Sequence, residues 1–318
     1  MRELQRQDAA VANAEILTQS GMKDLAVSPL RYWHKWIRPD REPDEPTPAM
    51  VFGTALHCAV LEPDEFPNRY ACDIDPAEYP LVTIGHLREW IRDKGGNPKG
   101  TLKSDVIAQA LSMDAFAPIF DVAVERHAKQ HEGKEILSLD FWTRCADASQ
   151  ALRDEPHVRD ILKSGKAEVQ MSAKDTDTGV WLGGRLDWVT ATRTLDIKTF
   201  TSTRGKSIDR AIADAIYYEA YYRQAFLYTK LRTMNGDSDP DFVIAFVESE
   251  PPHEVRLRVL RPKFGSQPNV YWMQANLEVR GFCETFAECL AHFGTEPWRY
   301  AQGLNPLADD EMKGLAFA

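Results

Sequence analysis

Apolar residues recur at helical spacing through most of the first half of the chain, and alternation of period two sets in only after about residue 165. Residues 1–20 read as a loosely attached helical arm. A helix follows in SGMKDLAVSPLRYWHKWI, with Met22, Leu25 and Ala26 on one side. Ser28-Pro29 punctuates it, because Ser caps a helix and Pro fits a first turn. The Pro-rich REPDEPTPAM reads as a loop, and MVFGTALHCAVLE as a buried helix presenting Phe52, Leu56, Ala59 and Val60. Residues 81–113 predict a helical hairpin around a Gly-rich turn, with Leu87, Trp90 and Ile91 meeting Val106, Ile107 and Leu111. Helical text continues to about Ser164. KAEVQMSAK, VWLGGRLDWVT and RTLDIKTF then predict three successive antiparallel strands. A helical run covers about 207–231, and the strands DFVIAFVES and HEVRLRVL come next. A final helix spans about 269–292, the tail from Trp298 lacks periodicity, and no internal repeat is present. The elements together predict an α/β protein, a central mixed sheet flanked by helices with an N-terminal helical region.

Composition narrows the class. Of 318 residues, 43% are hydrophobic and 27% charged, enough apolar surface for one large domain or two moderate ones, which excludes a disordered or fibrous chain. No run approaches the ~18 apolar residues of a membrane helix. The polar start MRELQRQDAAVANAE lacks the apolar centre of a secretory signal, and five scattered cysteines suit a reducing compartment, so a cytoplasmic protein is expected. The net charge of −10 argues against general coating of nucleic acid, yet leaves room for a basic groove on an acidic body.

The segment GRLDWVTATRTLDIKT carries the candidate chemistry. With a turn near Ala191-Thr192, Asp187 is expected opposite Asp196, and like charges so placed repel. Lys198, two residues on, points to the face of Asp196. Leu186, Trp188, Leu195 and Ile197 are expected to form the apolar opposite face, and Gly183-Gly184 to permit close approach of a backbone or substrate. Two carboxylates and an ammonium on one spot admit two readings: a site for a hard divalent cation, Mg²⁺ or Mn²⁺, or a solvated hairpin with Lys198 as salt-bridge partner.

G-R-x-D followed by D-x-K resembles the core of the PD-(D/E)xK nucleases, and in particular their RecB-like branch. Four further segments resemble the RecE-type exonucleases (exonuclease eight) in their family order: SGMKDLAVSPLRYW, GTALHCAVLEP, DTDTGVWLGGRLDWV and FVIAFVESEPPHEV, with YYRQAFLY as the Tyr-x-x-Gln helix of RecB-like nucleases. The resemblance implies a restriction-endonuclease-like core with Asp187, Asp196 and the Ile197 main-chain carbonyl as metal ligands, and His57 completing the shell. Lys198 would orient or activate water, Tyr221 and Gln224 would position the scissile strand, and Glu168 would act as an auxiliary acid. Glu62 reads as an outer partner or simply as the acid ending its helix. It further implies Mg²⁺ as cofactor with Mn²⁺ substituting, and 5′-to-3′ degradation of linear duplex DNA in phage-type recombination. The 3′ strand would pass to a single-strand annealing protein, and the chain would form a ring-shaped homo-oligomer in a bacterial host. Cys283 and Cys289 stand without a Cys-x-x-Cys, and no Walker A pattern occurs, so neither an iron–sulfur cluster nor ATP is expected.

Two other segments stay open. HLREWIRDKGGNPKGTLKSDVIAQAL resembles a SAP motif, and Arg88, Arg92, Lys94, Lys99 and Lys103 suit phosphates; it also reads as a solvated helical hairpin. In LRYWHKWIR, Arg31, Lys35 and Arg38 interleave with Tyr32, Trp33 and Trp36, which fits base stacking or a core covered by basic stems. The organisation expected is 1–80 helical and contributing His57, 81–115 an insert, 116–300 the nuclease core, and 301–318 a tail. A structure-specific or restriction-like endonuclease on the same core, and a silent DNA-binding adaptor, are the alternatives.

Overall fold

The computed structural model describes residues 16–299 apart from 43, 203, 204 and 239; the expected arm over 1–15 and the tail from 300 lie outside them. Residue 16 onward opens on strand β1 (Ile16–Thr18), where helix was expected, and then helix α1 (Gln19–Val27). The Ser28-Pro29 punctuation holds: Ser28 Oγ accepts from Arg31 N, and Pro29 opens a single helical turn. Helix α2 (Pro48–Leu61) is capped by Thr47 Oγ1. Strand β2 (Tyr70–Cys72) precedes α3 (Ile84–Asp93), α4 (Lys103–Met113) and α5 (Phe120–Gln130). Strand β3 (Glu135–Leu137), α6 (Leu139–Asp154) and α7 (Pro156–Leu162) lead into β4 (Lys166–Lys174), β5 (Trp181–Val189) and β6 (Arg193–Phe200). The chain continues through α8 (Ile208–Tyr218), α9 (Tyr221–Met234), β7 (Asp241–Glu248), β8 (Val255–Leu260) and α10 (Val270–Phe293).

Among the described residues, six strands form one mixed sheet in the order β1-β5-β6-β7-β8, with β4 on the other edge of β5. The β6–β7 pair is parallel; β4–β5, β5–β6 and β7–β8 are antiparallel. Helices cover both faces. Phe242, Ile244 and Phe246 of β7 pack toward α9, α10 and α1, while Val243, Ala245 and Val247 pack toward α2, α6 and α7. This alternation of one wholly buried strand between two helical layers explains its continuous apolar text. Residues between Leu81 and Ile119 build a third cluster of their own, and those two residues bridge at its base.

Three differences from the sequence reading have physical causes. Of the pair β2–β3, β3 sits inside text read as helical and β2 in text assigned no element, because three-residue strands carry no measurable alternation. The run 207–231 is two helices, broken where Ala220 takes φ 53°, a left-handed value. Leu186 packs on the α9 side, apart from Trp188, Leu195 and Ile197 on the α2 side, because the pleat of β5 is interrupted at Asp187. No helix among the described residues is long and apolar enough to cross a membrane.

Candidate functional site

The site forms where β5 changes partners. Its first residues pair with β1 (Trp181 to Gly183), its last with β6 (Trp188 and Val189), and the stretch Gly184–Asp187 between them has no neighbour on that edge. The pairs Trp188↔Leu195 and Val189↔Thr194 keep the register that would set Asp187 against Asp196. The ladder ends before reaching them, however, so the two carboxylates do not oppose each other as expected. Asp187 Oδ2 instead accepts the Ile197 N–H at 2.9 Å, substituting for the missing strand partner. The Ile197 carbonyl accepts from His57 Nε2 at 2.9 Å. A carbonyl only accepts, so Nε2 carries a proton, and Nδ1, 3.5 Å from Asp187 Oδ2, is the ring nitrogen turned to the cleft.

Opposite Asp187 on β4, Glu168 adopts φ 52° and interrupts the β4–β5 ladder between Ala167↔Trp188 and Val169↔Leu186. A non-glycine residue held there costs about 1–3 kcal/mol. One donor atom each from His57, Glu168 and Asp187 then lies within 4.8 Å of the others. One imidazole nitrogen and two carboxylates fit a hard divalent cation, so the donor set suits the metal that the sequence pointed to.

Asp196 stands beside this trio rather than in it. It is wholly buried, Oδ1 accepts from Gln224 Nε2 at 2.7 Å, and Oδ2 lies 2.8 Å from Lys198 Nζ. Burial raises its carboxyl most, Lys198 pulls it down and Asp187 lifts it again, leaving it pushed up to about 6. Burial draws the Lys198 ammonium down, but Asp196 and Asp187 together outweigh that and hold it above the usual lysine range. Burial likewise raises Glu168, against the opposing pull of Arg185. Lys198 Nζ also sits 5.3 Å from the centroid of the Tyr221 ring, a cation–π contact that limits its swing.

The residues that the sequence singled out lie close together, several with partners that the sequence did not predict. Gln224, expected on the scissile strand, holds Asp196; Tyr221 lies against Lys198; Glu168, expected as an auxiliary acid, joins the trio; the Ile197 carbonyl orients His57. Gly183 and Gly184 do serve close approach, but to protein. A Cβ on Gly183 would meet Ile16 of β1 at 2.5 Å, and one on Gly184 the Tyr228 ring at 2.5 Å. The cleft, about 1010 Å³, also exposes three groups that sequence reasoning left out: Arg69, Arg185 and Tyr228. Arg185 had a signal, lying two residues before Asp187 and so on its side of the strand. Arg69 had none, since only the fold brings it to Glu62, which ends α2 and takes Arg69 in a two-pronged pair at 2.8 and 3.1 Å.

Elsewhere the aromatic run is mainly core: Tyr32 is buried against Phe286 and Trp298, and Trp33 Nε1 donates to Thr295 O. Trp36 alone of the three reaches the cleft wall. In the insert, Arg88 closes the turn on the Gly100 carbonyl, Lys103 pairs with Asp121 at 2.6 Å, and Lys94 lies over Trp90. Arg92 and Lys99 are exposed, and none of Arg92, Lys94, Lys99 or Lys103 lines the cleft.

No protein of curated function matches the sequence. A crystal structure described as a putative exonuclease from Eubacterium rectale superposes with a TM-score of 0.48 at 17% identity, over 95% of this chain and 94% of that one. The profile of a family described as a PDDEXK-like domain of unknown function (DUF3799) matches residues 18–292, from β1 through nearly all of α10. The interrupted β5 edge and its carboxylates are thus features of a member of that PDDEXK-like family, to which this chain belongs.

Proposed function

We propose that the protein is a Mg²⁺-dependent deoxyribonuclease of RecE type, degrading one strand of linear duplex DNA from its 5′ end. The observation that carries this reading is the trio His57, Glu168 and Asp187 beside the charged Lys198 in the gap of the sheet. A divalent cation held by the trio would supply a water of lowered pKa and neutralise charge developing on the phosphate. The chain's own groups do the rest. Lys198, kept protonated by two carboxylates, presents a cation to a phosphate oxygen or orients the attacking water. Asp196 anchors that ammonium, and Gln224 anchors Asp196. The Ile197 carbonyl holds the His57 ring through Nε2, so that Nδ1 faces the other two ligands. Mn²⁺, accepting the same imidazole and carboxylate donors, would substitute for Mg²⁺.

In this reading the product is a 3′ single strand for a partner annealing protein, and a ring of subunits would hold the enzyme on its substrate. Exposed Arg92 and Lys99 on the insert would add phosphate contacts away from the cleft. Linear duplex labelled at its 5′ or its 3′ end, incubated with and without Mg²⁺, tests the proposal. Early release of the 5′ label, only with metal and with covalently closed circles spared, is the expected result. Cleavage of closed circles at the same rate would make it an endonuclease. No cleavage of either substrate with Mg²⁺ or Mn²⁺ would overturn the nuclease reading.

A further inference from the structure

Glu168 has two calls on its carboxylate. It lies within the trio that would hold a cation, and its Oε2 accepts from Arg185 Nε at 2.7 Å. The two partners differ in burial: the Arg185 side chain is 70% exposed, Glu168 only 24%. A half-solvated ion pair of this kind is worth little, at most about a factor of five in an equilibrium constant. A divalent cation held by the carboxylate and two further ligands would outcompete it. Arg185 would then lose its partner while remaining on the stretch of β5 that pairs with β4 alone.

The place where Arg185 would be released is defined. It lines both the catalytic cleft and an adjoining groove of about 570 Å³ that runs past β1 and over β4, the two sharing Thr18, Trp36 and Gly184. That groove carries a second guanidinium, Arg41, and the polar Gln170 and Ser172, with Trp36 as its aromatic wall. Arginine, aromatic and hydroxyl groups along an open trough beside a hydrolytic site suit the backbone and bases of a single nucleic-acid strand.

We propose that Arg185 is a positioning residue that exchanges partners. Without metal it neutralises Glu168; with metal bound it turns to a backbone phosphate of the strand lying in the groove toward Arg41. The exchange couples the two ligands: metal frees the arginine that grips the strand, and loss of the arginine leaves Glu168 open to metal. This rests on the nuclease reading only for the identity of the strand; the competition for Glu168 does not.

The sign of the coupling makes it testable. Calorimetric titration with Mg²⁺ alone, on the full-length protein, should show Arg185→Ala binding metal roughly two- to fivefold more tightly than wild type, the size of the lost ion pair. In a Glu168→Gln background the same substitution should change nothing. Arg185→Gln, which keeps a long polar side chain, guards against a folding defect and should act like alanine. With Ca²⁺ bound, binding of a single-stranded oligonucleotide should weaken in Arg185→Ala, its log–log salt slope falling by about 0.7. Arg185→Lys should recover most of the slope. Metal affinity unchanged or reduced in both Arg185 variants would overturn the exchange. Tighter metal binding with an unchanged oligonucleotide slope would overturn the phosphate half of it. A wild-type protein that binds no oligonucleotide, yet shows the Glu168-dependent gain in metal affinity, would overturn the nuclease reading and leave the competition standing.

Discussion

The β5 gap and the helical insert of residues 81–119 solve opposite problems. The gap buries polar groups where a regular sheet would bury backbone pairs: Asp187 and His57 take the N–H and carbonyl of Ile197, and Asp196 is shut in with Lys198 and Gln224. The insert does the reverse. Leu87, Ile91, Val106 and Ala110 are fully buried on regular helices, and its basic groups stay at the surface. Gly95 and Gly100 take positive φ to make its turn, which Gln109 ties by accepting from Lys99 N and donating to Asn97 O. Irregular backbone with buried charge marks the place built for chemistry, whereas satisfied helices with a private core mark a module attached to it.

Substitutions can break that contrast. The largest effect is expected at Lys198. Lys198→Ala should lower kcat by about 10²–10³-fold, the loss typical of one preorganised charge-stabilising group, while duplex affinity stays within about threefold. Lys198→Arg should not rescue, since a planar guanidinium cannot reproduce the point charge. Single-turnover cleavage and a separate binding titration in Ca²⁺ check both halves.

The two aspartates should then separate in stability, although the proposed function needs both for cleavage. Asp187→Asn keeps an oxygen for the Ile197 N–H and removes a charge that raises Asp196, so the apo melting temperature should hold or rise. Asp196→Ala strands the Lys198 ammonium and the Gln224 amide in the interior and should cost about 3–5 kcal/mol. From sequence alone, with the two carboxylates simply opposed, either loss would be expected to relieve repulsion. Burial and the partners of Asp196 reverse that expectation for one of them. Denaturant unfolding of both variants in EDTA distinguishes the outcomes.

A smaller effect is set by pH. Asp196, pushed up to about 6, and Glu168, raised by burial, bind protons more tightly folded than unfolded. Their contribution to apo stability is therefore fully present below the unfolded carboxylate range near pH 4 and is lost as pH rises through about 6. Divalent-metal affinity should run the other way, falling as pH drops from 7 to 5.5 while the carboxylate at the trio's edge takes up protons. Thermal melts in EDTA and metal titrations across that range give the two slopes.

The smallest effect belongs to the insert. Neutralising Arg92, Lys94, Lys99 and Lys103 together should flatten the salt dependence of duplex binding by at most ~3, since Lys103 is already paired with Asp121. Turnover at saturating DNA should not move. An unchanged slope would leave the insert as structure alone.

What the sequence made legible follows the strength of local periodicity. Strands β4, β5 and β6 are long enough to alternate, so 166–174, 181–189 and 193–200 were readable almost to the residue. β1, at three residues, was not, and with it went the fact that β5 exchanges one partner for another. Asp187, Asp196 and Lys198 were legible as a motif, and His57 only through the resemblance of its helix. The membership of Glu168 in the trio was not, because it depends on one backbone angle, and nothing in KAEVQ marks φ 52°. Arg69 and Tyr228 reach the cleft only through the packing of distant elements.

The most direct test of the central claim, that the gap in the sheet is a divalent-metal centre, is a calorimetric Mg²⁺ titration of wild type, His57→Ala, Glu168→Gln and Asp187→Asn. Wild-type protein should bind, and each substitution should weaken binding by about tenfold or more, ~1.4 kcal/mol, with the fold intact by circular dichroism. Wild-type affinity in all three variants would place the metal elsewhere and contradict the account.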